Sequence, residues 1–233
     1  MSRLYDALQN AQTAALPPPP SAPALRAQPQ ADDGPMLRLT QTIDSRLAER
    51  PRRIIQVVGC GPQENTATVA KRLVGLSAVL LRRSALLLDA VTPPPMTGPT
   101  SHAHPAVPGL AALRAVNAPQ PLRPDEEQPY AQASLFDQTD EASVDPEQLT
   151  AAWTRLRIGY DLVVIDSPPA STPLGLALAP TVDGVILVIE AEKTRDTQAQ
   201  TARDALLAGG ANILGVVLDN RRYWVPRGLW ELV

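Results

Sequence analysis

The sequence predicts an α/β protein in which helices flank a parallel β-sheet. The strongest signal is the apolar, β-branched run at residues 162–165, which ends in Asp166 and is followed by Ser-Pro-Pro. A second apolar run, residues 184–189, follows a connection rich in Leu and Ala. Such runs are typical of strands buried on both faces of a parallel sheet. We therefore expect Asp166 at the carboxyl end of a strand, where open α/β sheets hold ligands, although it also suits the start of a turn.

The composition favours one compact domain accompanied by proline-rich segments. The 233 residues are 44% hydrophobic and can bury one core, but 25 prolines are too many for a uniformly packed domain. The net charge of −3, without a long basic block, does not imply a nucleic-acid partner. The single Cys60 excludes a disulfide framework and suits a reducing compartment. Because the sequence has no long apolar run and no signal-peptide core, we expect a cytosolic protein.

The N-terminal part of the chain predicts two helices separated by a linker. Residues 1–15 contain an amphipathic helix, which is too short to be stable without a docking surface. Residues 16–35 include a run of four prolines and are typical of an extended linker. The globular domain is expected over residues 36–233, and it begins with an amphipathic helix at residues 37–49. The residues expected on the buried face of that helix are Leu39, Ile43 and Leu47.

The next segment has the layout of a phosphate-binding loop. Residues 54–58 predict a buried strand, and residues 66–81 predict a helix with an apolar stripe. Between them the sequence reads C-G-P-Q-E-N-T-A-T-V-A. A working loop needs glycines for close backbone approach, a lysine for the phosphates and a hydroxyl for Mg²⁺. No lysine stands at the required place.

A second carboxylate follows the next predicted strand. Residues 85–88 form this strand, and Asp89 ends it at the same sheet edge as Asp166. Two acidic groups at neighbouring strand ends could polarise a hydroxyl or share a metal ion. The alternative is a pair of solvated carboxylates with no chemical role.

Residues 92–145 are rich in Pro, Ala and Gln and predict a low-complexity, partly disordered insertion. His102 and His104 lie in this segment. A metal site there is not favoured, because no acidic or thiol partner stands at ligand spacing.

The C-terminal third predicts a helix beginning at Pro146, a helix over residues 193–208 and a last buried strand over residues 213–218. The chain then closes with aromatic residues interleaved with arginines. This composition suits packing on the domain, docking on a partner, or contact with a membrane surface. The residues that we expect to bind a partner are Arg221, Tyr223, Trp224, Arg227 and Trp230.

Several sequence blocks resemble one family in both order and spacing. The blocks are Y-D-L-V-V-I-D-S-P-P, V-D-G-V-I-L-V-I-E-A-E-K-T-R, G-A-N-I-L-G-V-V-L-D-N and R-R-Y-W-V-P-R. They are similar to the cytoplasmic kinase domain of the bacterial tyrosine kinases (BY-kinases) of exopolysaccharide and capsule systems. The opening S-R-L-Y-D-A-L-Q-N-A resembles the N-terminal helix of the exopolysaccharide members. The resemblance implies a P-loop NTPase-like parallel sheet of the MinD/ParA type.

The resemblance also assigns positions in a nucleotide site. The family's P-G-E-G-K-S-T-V-A corresponds to residues 62–70, so Thr66 stands at the lysine position and Ala67 at the Mg²⁺-binding hydroxyl position. Asp89 and Asp166 keep the Walker A′ and Walker B positions, and Asp166 would hold Mg²⁺. Gln63 and Asn65 replace the two glycines. The family's nucleotide positions fall on Gly61, Glu64, Asn65, Thr66, Ala67, Thr68, Asp219 and Asn220.

These departures predict a non-catalytic, pseudokinase-like subunit that regulates or scaffolds exopolysaccharide synthesis and export. The resemblance implies a cytoplasmic protein that reaches the inner membrane through a partner. That partner would be a membrane polysaccharide co-polymerase, a synthase or an active kinase homologue. The family's oligomerisation motif corresponds to Pro35, Arg38 and Gln41, which leaves homo- and hetero-oligomers open.

Two enzymatic alternatives remain from the sequence. One is an active tyrosine autokinase with an unusual loop, supported by the retained Asp89 and Asp166. The other is a MinD-like positioning ATPase of a cellulose or secretion apparatus. No cofactor is expected for the non-catalytic reading, although weak ATP or ADP binding with Mg²⁺ stays open. The missing lysine disfavours both alternatives, because nucleotide-dependent switching also needs contacts to the γ-phosphate.

Overall fold

The computed structural model describes residues 34–62, 64–91, 129–135 and 146–220. Within them, six strands form one sheet with helices on both faces. The strands are β1 (Arg53–Gly59), β2 (Ala85–Asp89), β3 (Ala131–Ser134), β4 (Leu162–Asp166), β5 (Gly184–Glu190) and β6 (Ile213–Asp219). The helices are α1 (Gly34–Arg46), α2 (Thr66–Leu80), α3 (Pro146–Gly159), α4 (Pro173–Leu178) and α5 (Asp196–Ala208), with a short 3-10 helix at Ala179–Thr181. The predicted fold class is confirmed.

The sheet has the order β3-β2-β4-β1-β5-β6, and every neighbouring pair is parallel. Strand β1 lies between β4 and β5, so the connection from β4 to β5 crosses over it. Because all strands run the same way, their carboxyl ends meet at one edge. This edge receives the loops that follow β1, β2, β4, β5 and β6.

Two apolar layers hold the sheet. Helices α1 and α2 cover one face, where Met36 and Leu73 pack with strand residues such as Val57 and Val164. Helix α3 covers part of the other face through Trp153, and α5 covers the rest of it. The strands are buried on both faces, which explains why their sequences are continuous apolar runs without alternation.

The predicted helix boundaries need two corrections. Helix α1 begins at Gly34 and ends at Arg46, whereas the sequence predicts residues 37–49. Its buried face carries Met36 and Thr40 beside Ile43, and Leu39 is only partly buried. Helix α5 begins at Asp196, three residues later than predicted, because the amides of Lys193 and Thr194 bond to the carbonyl of Glu190 and form a turn first.

Two elements escaped the sequence prediction. Strand β3 lies inside the predicted low-complexity insertion, where its sequence A-Q-A-S has no β-branched residue. It pairs with β2 at the edge of the sheet, with Leu86 opposite Ala131 and Asp89 opposite Ser134. Helix α4 lies in the Leu- and Ala-rich connection, and the Thr172 hydroxyl caps it by accepting a bond from the amide of Gly175.

Some predictions concern residues outside the described ranges. These are the N-terminal helix, the linker up to residue 33, both histidines and the C-terminal residues Arg221, Tyr223, Trp224, Arg227 and Trp230. Among the helices that the structure does describe, none is both long enough and apolar enough to cross a membrane.

Candidate functional site

The carboxyl edge of the sheet places two carboxylates side by side. Asp89 ends β2 and Asp166 ends β4, and the two residues are register partners in adjacent strands. On its other side, Asp166 is the register partner of Val57 in β1. The loop that follows β1 therefore begins next to the carboxylate pair.

Asp166 is a buried carboxylate with an unused oxygen. Its residue is only 7% exposed, and Oδ1 has no hydrogen-bond partner among the described residues. Burial raises the pKa of Asp166, and the hydrogen bond from Thr66 opposes this change. The negative charge of Asp89 raises the pKa further, while Lys71 lowers it. Thr66, predicted to stand at the lysine position, thus places an uncharged hydroxyl near Asp166.

Asp89 makes the turn that follows β2. Its Oδ1 accepts a hydrogen bond from the amide of Val91 at 2.8 Å. The amide of Ala90 donates to the carbonyl of Asp166 at 2.9 Å, and the amide of Leu135 donates to the carbonyl of Asp89 at 2.7 Å. These bonds join the ends of β2, β3 and β4.

The loop after β1 is closed by its own carboxylate. The amide of Gly61 donates to Oε2 of Glu64 at 2.7 Å, and the hydroxyl of Thr194 donates to Oε1 of Glu64 at 2.8 Å. Glu64 is buried. A Cβ atom on Gly59 would stand 3.0 Å from the Cβ of Glu64, which shows how tightly the loop folds around this side chain.

The start of α2 is capped by a side chain. Asn65 is the N-cap residue, and its Oδ1 accepts a hydrogen bond from the amide of Thr68 at 3.3 Å. The amide of Thr66 donates to the carbonyl of Glu64 at 3.0 Å. Ala67, next in the first turn, has no side-chain oxygen. Two of the amides that a helix N-terminus can offer to an anion are therefore bonded within the chain.

The last two predicted nucleotide positions lie at the end of β6. Asp219 is the register partner of Glu190 in β5. Asn220 has a positive φ of 55°, and its side-chain amide donates to Oε1 of Glu190 at 2.9 Å. Lys193 also contacts this oxygen at 2.6 Å. The Asn220 amide is thus used to join β5 to β6.

In sequence, the chain is similar to two kinases. It is 38% identical over 61 residues to CapB of Staphylococcus aureus, whose assignment as a tyrosine-protein kinase is by inference. This match spans 26% of the chain and 27% of CapB. It is 25% identical over 186 residues to the tyrosine-protein kinase YwqD of Bacillus subtilis, spanning 75% of each protein. No family model matches the chain.

In structure, the kinase domain of the Escherichia coli tyrosine kinase ETK superposes with a TM-score of 0.60 at 15% identity, covering 83% of this chain and 78% of that one. The VpsO kinase domain gives 0.57 at 22% identity, covering 81% and 97%. The chain contains a BY-kinase-like domain. MinD of Pyrococcus horikoshii, solved with Mg-ADP, shares the fold more distantly, with a TM-score of 0.52 at 19% identity over 76% of this chain and 75% of MinD.

The residues of this BY-kinase-like domain do not fit nucleotide phosphates. The amides of Gly61 and Thr68 already donate to Glu64 and Asn65. No cationic side chain stands at Thr66, and Ala67 cannot offer a hydroxyl to Mg²⁺. The Oδ1 atom of Asp166, which has no hydrogen-bond partner among the described residues, is one oxygen that could bind a cation.

Two residues that shape the loop were absent from the sequence prediction. Thr194 bonds to Glu64, 130 positions away in the chain. Gln198 in α5 packs against the loop. Its side-chain amide lies so close to Gly61 that a Cβ atom at Gly61 would collide with it. No local pattern marks either residue, since their contacts depend on how β1 and β5 come together in the sheet.

Proposed function

We propose that this BY-kinase-like domain is a non-catalytic subunit that regulates or scaffolds exopolysaccharide synthesis and export. The observation that carries the proposal is the uncharged Thr66, which lies near Asp166 and stands where the resemblance puts the family's lysine. A phosphoryl-transfer site stabilises charge with a lysine and a metal held by a hydroxyl. Here the lysine position has become an uncharged partner of the neighbouring carboxylate.

The magnitude of the loss supports the same proposal. Removing one preorganised donor from an enzyme typically costs on the order of 100–1,000-fold in rate. This chain has Thr66 in place of the lysine and Ala67 in place of the residue with the hydroxyl. Gln63 and Asn65 replace the two glycines. Several such losses in one loop leave little catalytic power.

The proposed subunit acts by binding. Its partner would be a membrane polysaccharide co-polymerase, a synthase or an active kinase homologue, and it would lie at the cytoplasmic side of the inner membrane through that partner. The C-terminal segment from Arg221 to Trp230 is the proposed binding region, because Trp, Tyr and Arg are enriched among interface anchors. Pro35, Arg38 and Gln41 are exposed on α1, so this face is also available to a second subunit.

One observation favours a second candidate, the active tyrosine autokinase. Asp89 and Asp166 remain adjacent, and Asp166 keeps an oxygen that could bind Mg²⁺. This candidate requires label from ATP to appear on the protein and to fall in the Tyr223→Phe variant. The proposed function requires no label on either protein.

Complementation of a strain lacking the gene tests the proposed function. The Thr66→Ala variant should restore polymer output fully, because no nucleotide chemistry depends on its hydroxyl. The Trp224→Ala/Trp230→Ala variant should stay folded but lose output and co-purification with the membrane complex, since losing such anchors typically costs on the order of 2 kcal/mol of binding or more. Circular dichroism of each purified variant controls for folding. Loss of output in folded Thr66→Ala or Asp166→Ala would contradict the proposal.

A further inference from the structure

The loop after β1 contains an anion supplied by the chain itself. Both oxygens of the Glu64 carboxylate accept hydrogen bonds, one from the Gly61 amide at 2.7 Å and one from the Thr194 hydroxyl at 2.8 Å. A phosphate-binding loop offers its backbone amides to an anionic oxygen. The Glu64 carboxylate makes this kind of contact without any ligand.

The Glu64 carboxylate also connects two parts of the sheet edge. The Thr194 oxygen that donates to Glu64 accepts a bond from the amide of Glu190 at 3.0 Å. The amide of Thr194 in turn donates to the carbonyl of Glu190 at 3.0 Å. A continuous hydrogen-bonded path therefore runs from the end of β5 through Thr194 and Glu64 to Gly61 after β1.

The neighbours of Glu64 hold it in this position. The family's loop has a glutamate between two glycines, whereas here Asn65 follows it and caps α2 through its side chain. Gln198 of α5 packs against Gly61 in the loop. In nucleotide switches, a γ-phosphate orders the loops around it and its loss releases them. In this chain the corresponding anion is the side chain of Glu64, which belongs to the loop itself and cannot be lost by hydrolysis.

We infer that Glu64 is a built-in substitute for a phosphate, which locks the β1 loop to Thr194 and keeps the start of α5 in one arrangement without nucleotide. This inference deepens the proposed function, because it names what orders the switch region of a subunit that binds no nucleotide. It gives the scaffold a permanently ordered surface around α5. Glu64 and Thr194 are positioning residues in this device.

Backbone hydrogen exchange of the full-length protein tests the lock. The variants are Glu64→Ala, Thr194→Val and their combination, with the exposed Glu49→Ala as control. Each single variant should raise exchange about tenfold in both segments, residues 59–62 and residues 190–198, because each breaks the same path. The double variant should exchange no faster than the single ones, since the two residues act as one unit. The control should match the wild type.

Rescue by an added anion distinguishes the loss of the Glu64 carboxylate from a general loosening of the loop. Excess sodium formate should restore protection in Glu64→Ala but not in Thr194→Val, where Glu64 still fills the position; sodium chloride at equal ionic strength should restore neither. If Glu64→Ala does not fold, Glu64→Gln keeps the side chain's length and should show the same two-segment rise at smaller size. Faster exchange confined to the segment that carries the substitution, or no effect of formate, would overturn the lock. That result would leave the complementation test of the proposed function unaffected.

Discussion

The fold disfavours the ionised form of Asp166. Its pKa is raised above the usual value of 3.8, first because the group is buried, and the adjacent Asp89 adds to the effect. An acid with a raised pKa contributes most to stability at low pH, and this contribution is lost as the pH rises through the folded-state value. Above the ordinary pKa of 3.8, the raised pKa of Asp166 therefore destabilises the folded protein.

The Asp166→Asn variant should be more stable than the wild type at pH 7. We expect its Tm to be higher by about 2–4 °C, the shift that a gain of about 1 kcal/mol produces in a domain of this size. The difference should shrink as the pH falls towards the ordinary value of 3.8, because below that pH the shift in the pKa of Asp166 no longer affects folding. Thermal unfolding followed by circular dichroism between pH 4 and 8 measures this, with the exposed Asp204→Asn as control. A lower Tm for Asp166→Asn at pH 7 would show that the carboxylate has a stabilising partner.

The candidate site was only partly predictable from the sequence. Asp89 and Asp166 could be placed together because each ends an apolar run in a parallel sheet. The contact between Glu64 and Thr194 could not be predicted, because it joins loops that only the assembled sheet brings together. Sequence position identified the loop, and tertiary structure determined what fills it.

Among the elements, β5 is anchored at its start by a buried carboxylate. Asp183 is 4% exposed and accepts the amide of Ile54 at 2.8 Å and the Arg157 guanidinium at 2.9 Å. Arg50 completes the group as a further ion pair. The carboxylate thus joins β1, α3 and β5 at the edge of the sheet opposite the candidate site.

The Asp183→Ala variant should lose about 3 kcal/mol of unfolding free energy, because it leaves a buried amide and a partly buried arginine without their partner. Urea unfolding at pH 7 measures the change, and an unaltered m-value would show that both states keep their compactness. Asp204→Ala, on the exposed face of α5, is the matched control and should lose less than about 0.5 kcal/mol. A loss below about 1 kcal/mol for Asp183→Ala would mean that the anchor contributes little.

The strands differ in how far their sequences reveal them. The strands β1, β2, β4, β5 and β6 are apolar runs and were predicted with nearly their observed bounds. Strand β3 consists of Ala, Gln and Ser, and it is a strand because β2 offers an unpaired edge. Local propensity is weak in such a case, and pairing decides the structure. The late start of α5 has a different cause, because the hydrogen-bonded turn from Glu190 to Thr194 takes up the first residues of the predicted helix.

For the whole molecule, fold and chemistry follow from different residues. The alternation of apolar strands and amphipathic helices predicts the α/β sheet, and solved kinase domains share it at 15% and 22% identity. The chemistry depends on a few loop positions, which the fold tolerates with other side chains. The same architecture can therefore persist after the residues that serve a nucleotide have changed.

Titration of the full-length protein with a fluorescent ATP analogue, with and without Mg²⁺, measures whether this domain binds a nucleotide. The wild type should show no saturable binding up to about 1 mM, an affinity at which binding amounts to only about 4 kcal/mol. The variant Gln63→Gly/Asn65→Gly/Thr66→Lys/Ala67→Ser restores the family's loop, and we expect it to bind in the micromolar range when Mg²⁺ is present. Micromolar, Mg²⁺-dependent binding by the wild type that Asp166→Ala abolishes would contradict the claim that this domain works without a nucleotide.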